Sequence, residues 1–421
     1  MTEHRGGGGS QGRSGGRGRR RRGRGGGGGG RGGGRGQQQP RGVQRIPEGD
    51  PTEEATGILQ LADAGHGYLR SAKYSFNAEP TDAVVPRELV EKAGLETGLE
   101  LTGMAVPSDR PNGAACLATI THINGDERET WGGHTPFKAL VAEDPVERIR
   151  LEVPTEDGDV SMRVADIISP IGKGQRCLIV APPKAGKTVL LQKMAHSISD
   201  NHPEIHLLVL LVDERPEEVT DWRRNVRGEV IASSSDETPK QHVAAAEIVL
   251  ERAKRLVESG RDVVVLLDSI TRLSRAYNSQ QRGSGRVLSG GIDARTMEKP
   301  RRFFGAARNV EDGGSLTVIG TALVDTGSRM DEVIFQEFKG TGNTEIVMDR
   351  KLFERRIFPA IDIAASGTRK EEKIFDAEEY SKVTLLRRAL APLRGAEAMQ
   401  LLTERLRKYP DNATFLAELT K

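Results

Sequence analysis

Residues 181–188 read APPKAGKT. Before them, Cys177-Leu178-Ile179-Val180 is an apolar run of the length of a buried strand; after them, Val189–Ser199 places apolar residues at helical spacing. A Gly-rich segment between a strand and a helix start wraps backbone N–H groups around phosphates, and the helix dipole adds to the attraction. Pro182, Pro183, Lys184, Ala185 and Gly186 would form the wall of that cradle, and Lys187, Thr188 and Val189 its helical floor. Lys187 reaches the β- and γ-phosphates and the Thr188 hydroxyl ligates Mg²⁺ in such loops. The pattern departs from GxxxxGK[ST] at one place, where Ala181 stands for the first Gly. The segment predicts a nucleotide site on a P-loop α/β core.

Working outward, two further apolar runs end in acids. His206–Val212 leads into Asp213-Glu214-Arg215-Pro216-Glu217-Glu218, and Asp262–Leu267 into Asp268-Ser269. Open α/β sheets hold ligands at the carboxyl ends of their strands, so both acidic pairs should fall beside the loop. Asp268 is placed as the Walker-B carboxylate for Mg²⁺. Hydrolysis also needs a group that orients and deprotonates water. Glu214, one residue past a buried strand, is the candidate, with Asp213 and Glu217 as competitors.

The formal net charge of +2 over 421 residues hides an asymmetry. Residues 1–45 hold twelve Arg, twenty Gly, no Lys and one acid, Glu3, and lack aromatic residues. Such a stretch cannot bury a core and reads as a disordered tail (residues 1–50) able to pair with phosphates and stack on bases of single-stranded RNA. The rest of the chain is acidic. The two cysteines, Cys116 and Cys177, form no disulfide framework or zinc spacing, which points to a reducing cytoplasm. No apolar stretch is long enough for a bilayer span, and no apolar run comes after the basic start, so neither a membrane protein nor a signal peptide is expected.

Residues 51–126 read as a small all-β domain. Gly57–Leu61, Gly67–Arg70, Ala83–Pro86, Glu100–Val106 and Ala114–His122 are short runs separated by turn residues, the pattern of an oligonucleotide-binding barrel. In Gly65-His66-Gly67-Tyr68-Leu69-Arg70, alternation puts His66, Tyr68 and Arg70 on one face as a base-stacking platform, which Phe76 could join. Residues 127–165 read as a charged, proline-punctuated connector. From residue 166 to 421, strand and helix signals alternate, which calls for a parallel sheet covered by helices.

These residues also carry a family resemblance. Ile168 to Glu372 resembles the Rho family of transcription termination factors, hexameric RNA-dependent ATPases of the RecA-like class. The matching strings are SPIGKGQR (169–176), APPKAGKT, LLVDERPEEVTDW (210–222), LLDSITRLSRAYN (266–278), RVLSGGID (286–293), RRFFGAARNVEDGGSLT (301–317), MDEVIFQEFKGTGN (330–343) and FPAIDIAASGTRKEE (358–372). GILQLADAGHGYLR is similar to the family's cold-shock-like RNA-binding barrel. The resemblance implies that Lys184 and Lys187 contact ATP phosphates, that Glu214 is the catalytic glutamate, and that Arg215 is its phosphate-side neighbour. It implies that Arg369 is an arginine finger for the next subunit, that Arg356 is a second arginine at that interface, and that Phe358 packs on adenine. It implies RNA contacts from two channel loops, Gln280–Gly291 with Arg286 and Val324–Met330 with Arg329. The expected activity is ATP-driven 5′→3′ translocation on nascent RNA that releases transcripts from the RNA polymerase elongation complex and unwinds RNA–DNA hybrids, with a homohexamer as the working unit and elongation factors among its partners.

The chain departs from the family pattern in its barrel. His66 and Tyr68 stand where the family usually has Phe and Phe, a later Arg-Tyr-type contact that falls near Ala114-Ala115 is missing, and an Arg/Gly tail takes the place of a helical bundle. An altered primary RNA site, assisted by the tail, is the expectation. A DNA recombinase or rotary ATP synthase subunit on the same core fits the RNA-type barrel poorly. The alternative outside enzymes is a nucleotide-gated RNA-binding or condensate-forming protein with minor turnover.

Overall fold

The computed structural model describes residues 45–109, 113–132, 134–154, 158–280, 292 and 295–419. The Arg/Gly tail up to residue 44 and most of the first channel loop, Arg286 included, lie outside the described residues.

Strands β1 (Glu53–Leu61), β2 (Gly67–Arg70), β3 (Val84–Val85), β4 (Glu100–Val106), β5 (Cys116–Ile123) and β6 (Asp126–Glu127), with helix α1 (Arg87–Ala93) between β3 and β4, build the amino-terminal domain. The order β3-β2-β1-β4-β5-β6 is closed by a parallel β3–β5 pairing, which makes a barrel and removes its open edges. Its core is Leu59, Leu69, Val85, Leu101, Ala105, Leu117 and Ile123, the inward residues of alternating strands. The five expected strands are all present. Helix α1 and the two-residue β6 carry no strong periodic signal.

The connector is built into the carboxyl-terminal domain. Its β7 (Ala142–Glu143) and β8 (Arg148–Ile149) precede α2 (Ser161–Ile168), β9 (Ile171–Gly172) and β10 (Arg176–Ala181). Then come α3 (Lys187–Asn201), β11 (His206–Glu214), α4 (Pro216–Asn225), β12 (Glu229–Ser234), α5 (Pro239–Glu258), β13 (Asp262–Asp268), α6 (Ile270–Gln280) and α7 (Glu298–Gly305). Strands β14 (Arg308–Val310) and β15 (Ser315–Leu323) lead to α8 (Arg329–Lys339), β16 (Thr344–Val347), α9 (Arg350–Glu354) and β17 (Gly367–Thr368). Helices α10 (Ala377–Leu390), α11 (Gly395–Leu406) and α12 (Asn412–Ala417) end the described chain.

The main sheet runs β12-β11-β13-β15-β10-β16-β17, parallel except at β17, with β14 on β15 and connector strand β7 on β14. Strands buried on both faces read as continuous apolar runs, and here the alternation divides two cores. Leu207, Val209 and Leu211 pack with α2, α3 and the carboxyl-terminal helices, whereas Leu208, Leu210 and Val212 pack with α5, α6, α7 and α8. The barrel docks on α5. Asn124 donates to Arg255 O (3.3 Å) and Ser259 Oγ (3.2 Å) and accepts from Arg252 (2.9 Å). Phe76, expected near the RNA face, is only 5% exposed and packs instead in the core between the sheet and α5. The physical reason is the left-handed backbone at Ser75 and Phe76 (φ +52° and +59°), which turns the ring inward while Ser75 Oγ accepts from Ala232 N (3.0 Å).

Candidate functional site

The carboxyl ends of β10, β15, β13 and β11 lie side by side and bring the predicted nucleotide residues together. After β10 the chain turns through Lys184 (φ +62°) and Gly186 (φ +88°) into α3. A Cβ on Gly186 would stand 3.3 Å from the Phe353 ring in a backbone conformation that L residues avoid, so this position needs glycine. No side chain caps α3, which leaves the backbone donors of its first turn for an anion.

Glu214 reaches the site through a register break. Between Val212 and Glu214 the β11–β12 pairing skips Asp213, whose φ is +57°. The bulge re-aims the following side chain. Glu214 is 2% exposed, while Asp213 is half-buried at the rim and Glu217 is exposed on α4. Lys187 Nζ donates to Glu214 Oε1 (3.4 Å) and to Asp268 Oδ1. Asp268 is fully buried and also accepts from Thr321 Oγ1 (2.8 Å). Burial, then the charge of Asp268, pushes the Glu214 carboxyl up to about 7. Burial works to lower the Lys187 ammonium, but Asp268 and Glu214 outweigh it and the net direction is up.

The donor set fits Mg²⁺. Asp268 Oδ2 is buried without a hydrogen-bond partner, an uncompensated acceptor that a cation would satisfy. Thr188 lies one residue past Lys187 at the start of α3. Among the described residues no group of three or more His, Cys, Asp or Glu side chains forms a metal cage. Mg²⁺ with a nucleotide needs none, because phosphates and water supply most ligands.

Beside the loop is a mostly apolar cavity of ≈ 340 Å³, lined by Ala185, Gly186, Val189, Leu190, Met348, Phe353, Arg356, Phe358, Pro359 and Ala360 among others. Phe358 is 42% exposed and meets Phe353 edge-on, with ring centroids 5.6 Å apart. A heteroaromatic base fits such a wall. Arg215 begins α4 with an exposed guanidinium.

Arg369 is elsewhere. Its backbone N donates to Asn343 O (2.8 Å), and Asn343 in turn bonds Arg176 at the amino end of β10. The loop leaves the carboxyl end of that six-residue strand. At about 3.3 Å per residue, the strand is longer than an arginine side chain can span. Within one protomer Arg369 cannot reach its own loop.

Sequence reasoning missed three contributors. Arg272 Nη1 lies 3.5 Å from Glu214 Oε2; its signal was its place in LLDSITR, one helical turn past Asp268. Thr321 and Phe353 come from distant segments and left no local signal.

On the barrel, His66, Tyr68 and Arg70 share a face as alternation predicts, yet the face differs from a free platform. His66 and Arg70 are buried and Tyr68 is half-buried. His66 Nε2 is 3.1 Å from the Tyr68 hydroxyl, and the Arg70 guanidinium lies 4.8 Å from the Tyr68 ring centroid. Arg70 pairs with Asp82 and donates to Gln60 Oε1 (2.7 Å), so its charge is compensated inside the barrel rather than offered to solvent. The second channel loop ends at α8, where Arg329 is exposed. Asp331, 1% exposed, accepts from Arg275 Nε (2.8 Å) and Thr326 Oγ1 (2.6 Å) and ties this loop to α6, the helix that begins beside Asp268.

Comparison with known proteins matches residues 161–368 to the nucleotide-binding domain of the ATP synthase alpha/beta family and residues 55–129 to the RNA-binding domain of Rho termination factor. The chain is similar to transcription termination factor Rho of Cereibacter sphaeroides, with 52% identity over 361 residues and 85% of each chain covered. It is also similar to that of Pseudomonas aeruginosa, 49% identical over 366 residues, with 87% of each covered. Among solved structures, an ATPase from the type III secretion system of pathogenic bacteria superposes with a TM-score of 0.53 at 23% identity, over 63% of this chain and 75% of that one. An ATP synthase subunit of Nanoarcheaum equitans gives 0.54 at 16%, over 68% and 76%. These two share the fold.

Proposed function

The chain belongs to the family of transcription termination factor Rho, and from that premise we propose how its own residues divide the work. It is an RNA-binding ATPase that acts in transcription termination. ATP lies with its base against Phe358 and Phe353 and its phosphates on the loop from Pro182 to Val189. Lys184 and Lys187 bind the phosphate oxygens, and Arg215 stands on the same side. The entering phosphates compete with Glu214 and Asp268 for the Lys187 ammonium, which frees Glu214 to take a proton from the attacking water. Thr188 and Asp268 hold Mg²⁺, which when bound neutralises charge on the β- and γ-phosphates.

The single observation that carries this reading is the convergence of Glu214, Asp268 and Lys187 beside the loop while Arg369 sits at the far end of β10. That separation supports a ring, a homohexamer, in which Arg369 of one subunit faces the ATP of its neighbour, while Arg356, which lines the cavity beside its own loop, is the second arginine of that interface from the ATP-bearing side. A trans arginine contributes about 10³–10⁵ in rate in related phosphoryl transfers, so an isolated subunit turns over very slowly. Arg329 serves the RNA channel, a role the family resemblance extends to Arg286 outside the described residues, and the half-buried Tyr68 makes the primary barrel contact with single-stranded RNA, its ring supported by the buried His66 and Arg70. Hydrolysis then drives 5′→3′ movement that strips the transcript from the RNA polymerase elongation complex, with elongation factors as further partners, in the cytoplasm. Among the described residues no helix is long and apolar enough to cross a membrane.

RNA-stimulated turnover tests the proposal. Single-stranded RNA should raise ATP hydrolysis by orders of magnitude and duplex DNA should not. Equal stimulation by both contradicts it, and stimulation by neither contradicts it in favour of a nucleotide-gated RNA-binding protein with minor turnover.

A further inference from the structure

The finger segment is fastened by a residue that no catalytic role explains. On its amino side, β17 pairs with β16 and Thr368 Oγ1 donates to Pro170 O (2.7 Å). On its carboxyl side, Glu371 accepts from Arg387 (2.7 Å), which also donates to Ile168 O (2.6 Å). Between these tethers lie Arg369 and Lys370, the latter with a left-handed backbone (φ +57°), and Lys373 comes one turn on. Asp144 accepts from Lys370 Nζ at both carboxylate oxygens (2.9 Å each) and from Lys373 Nζ at Oδ2 (2.6 Å). Asp144 comes from the connector, directly after β7, and β7 is itself anchored to β14 through the pairs Ala142–Val310 and Glu143–Asn309. Among the described residues the Arg369 guanidinium makes no hydrogen bond or ion pair of its own, so its direction depends on its neighbours.

We propose that Asp144 is a positioning residue for Arg369, holding Lys370 and Lys373 so that the finger points out of the subunit toward the neighbouring ATP. The proposal rests on the reading of Arg369 as a trans finger. Without Asp144, Arg369, Lys370 and Lys373 have only Glu372 to balance them within these five residues, since Glu371 is paired with Arg387, and two flexible ammonium groups compete with the guanidinium for the same phosphates. The two lysines hold the Asp144 carboxyl at about 2, so the clamp is charged throughout the working pH range. Exposed ion pairs add little to folding stability. A small misplacement of a reacting group nevertheless costs a large factor in rate. The clamp should therefore show itself in turnover and not in melting temperature.

The test compares Asp144→Ala, Asp144→Glu and Arg369→Ala in the full chain with single-stranded RNA. Asp144→Ala is expected to lower kcat about tenfold, with KM for ATP, hexamer mass and melting temperature nearly unchanged, and Asp144→Glu to restore most of it. In a Lys370→Gln/Lys373→Gln background, Asp144→Ala should cost nothing further, because the groups it acts through are gone. Wild-type kcat in Asp144→Ala beside an inactive Arg369→Ala overturns the clamp alone, as does a full loss that persists in the lysine-free background. Wild-type kcat in Arg369→Ala overturns the finger assignment and the clamp with it.

Discussion

At Asp213 the backbone enters the left-handed region, and this one change of φ carries Glu214 from an ordinary strand end into the buried pocket beside Asp268. The sequence alone leaves Asp213, Glu214 and Glu217 as competitors, because a bulge is a tertiary choice that no local pattern announces. The phosphate loop is different: Gly186, Lys187 and Thr188 were legible because their chemistry is local to one turn. Burial and the Asp268 charge raise the Glu214 carboxyl to about 7, so the nucleotide-free enzyme loses its proposed base as pH falls through that value. The profile of kcat/KM reports the free enzyme. It should fall on the acid side with a midpoint near 7, and a flat profile down to pH 5 would count against Glu214 as the base. Glu214→Gln should lower turnover by at least about 10²-fold and leave nucleotide binding intact, measured by fluorescent-nucleotide titration beside ATPase rate.

At the scale of elements, β10, β11 and β13 stood out as continuous apolar runs because both of their faces are buried. The strands β7 and β8 did not, since a two-residue strand in a charged connector has no periodicity to read. Their pairing with β14 and β9 turns the expected linker into part of the motor's framework. The docking of the barrel was likewise invisible. Gly98 (φ +96°) approaches α5 so closely that a Cβ would stand 2.4 Å from the Glu251 carbonyl carbon and 2.5 Å from Arg252 N. Gly98→Val should push the barrel off α5, cost about 1–3 kcal/mol by overpacking, and speed amide exchange across Arg252–Ser259. Unchanged exchange there would mean that the barrel is not seated through this contact.

For the whole molecule, charge asymmetry sets the expectation for RNA. The Arg70 charge is compensated by Asp82, so the barrel face offers rings more than cations, while twelve Arg stand in residues 1–45. Deleting residues 1–45 should weaken RNA binding and flatten its salt dependence, each lost phosphate contact removing about 0.7 from the logarithmic slope. An unchanged slope would remove the tail from the RNA interface. The proposed assembly turns on one distance that a single subunit does not close, from Arg369 at the amino end of β10 to the loop at its other end. The most direct measurement is RNA-stimulated ATP turnover in rings mixed from Arg369→Ala and Glu214→Gln subunits, each nearly inactive alone. A site completed by its neighbour predicts that mixing restores turnover stimulated by single-stranded RNA, because an Arg369→Ala subunit keeps its own Glu214 and receives an intact arginine from a Glu214→Gln neighbour. Mixtures as inactive as their parents, or turnover indifferent to RNA, would contradict the account.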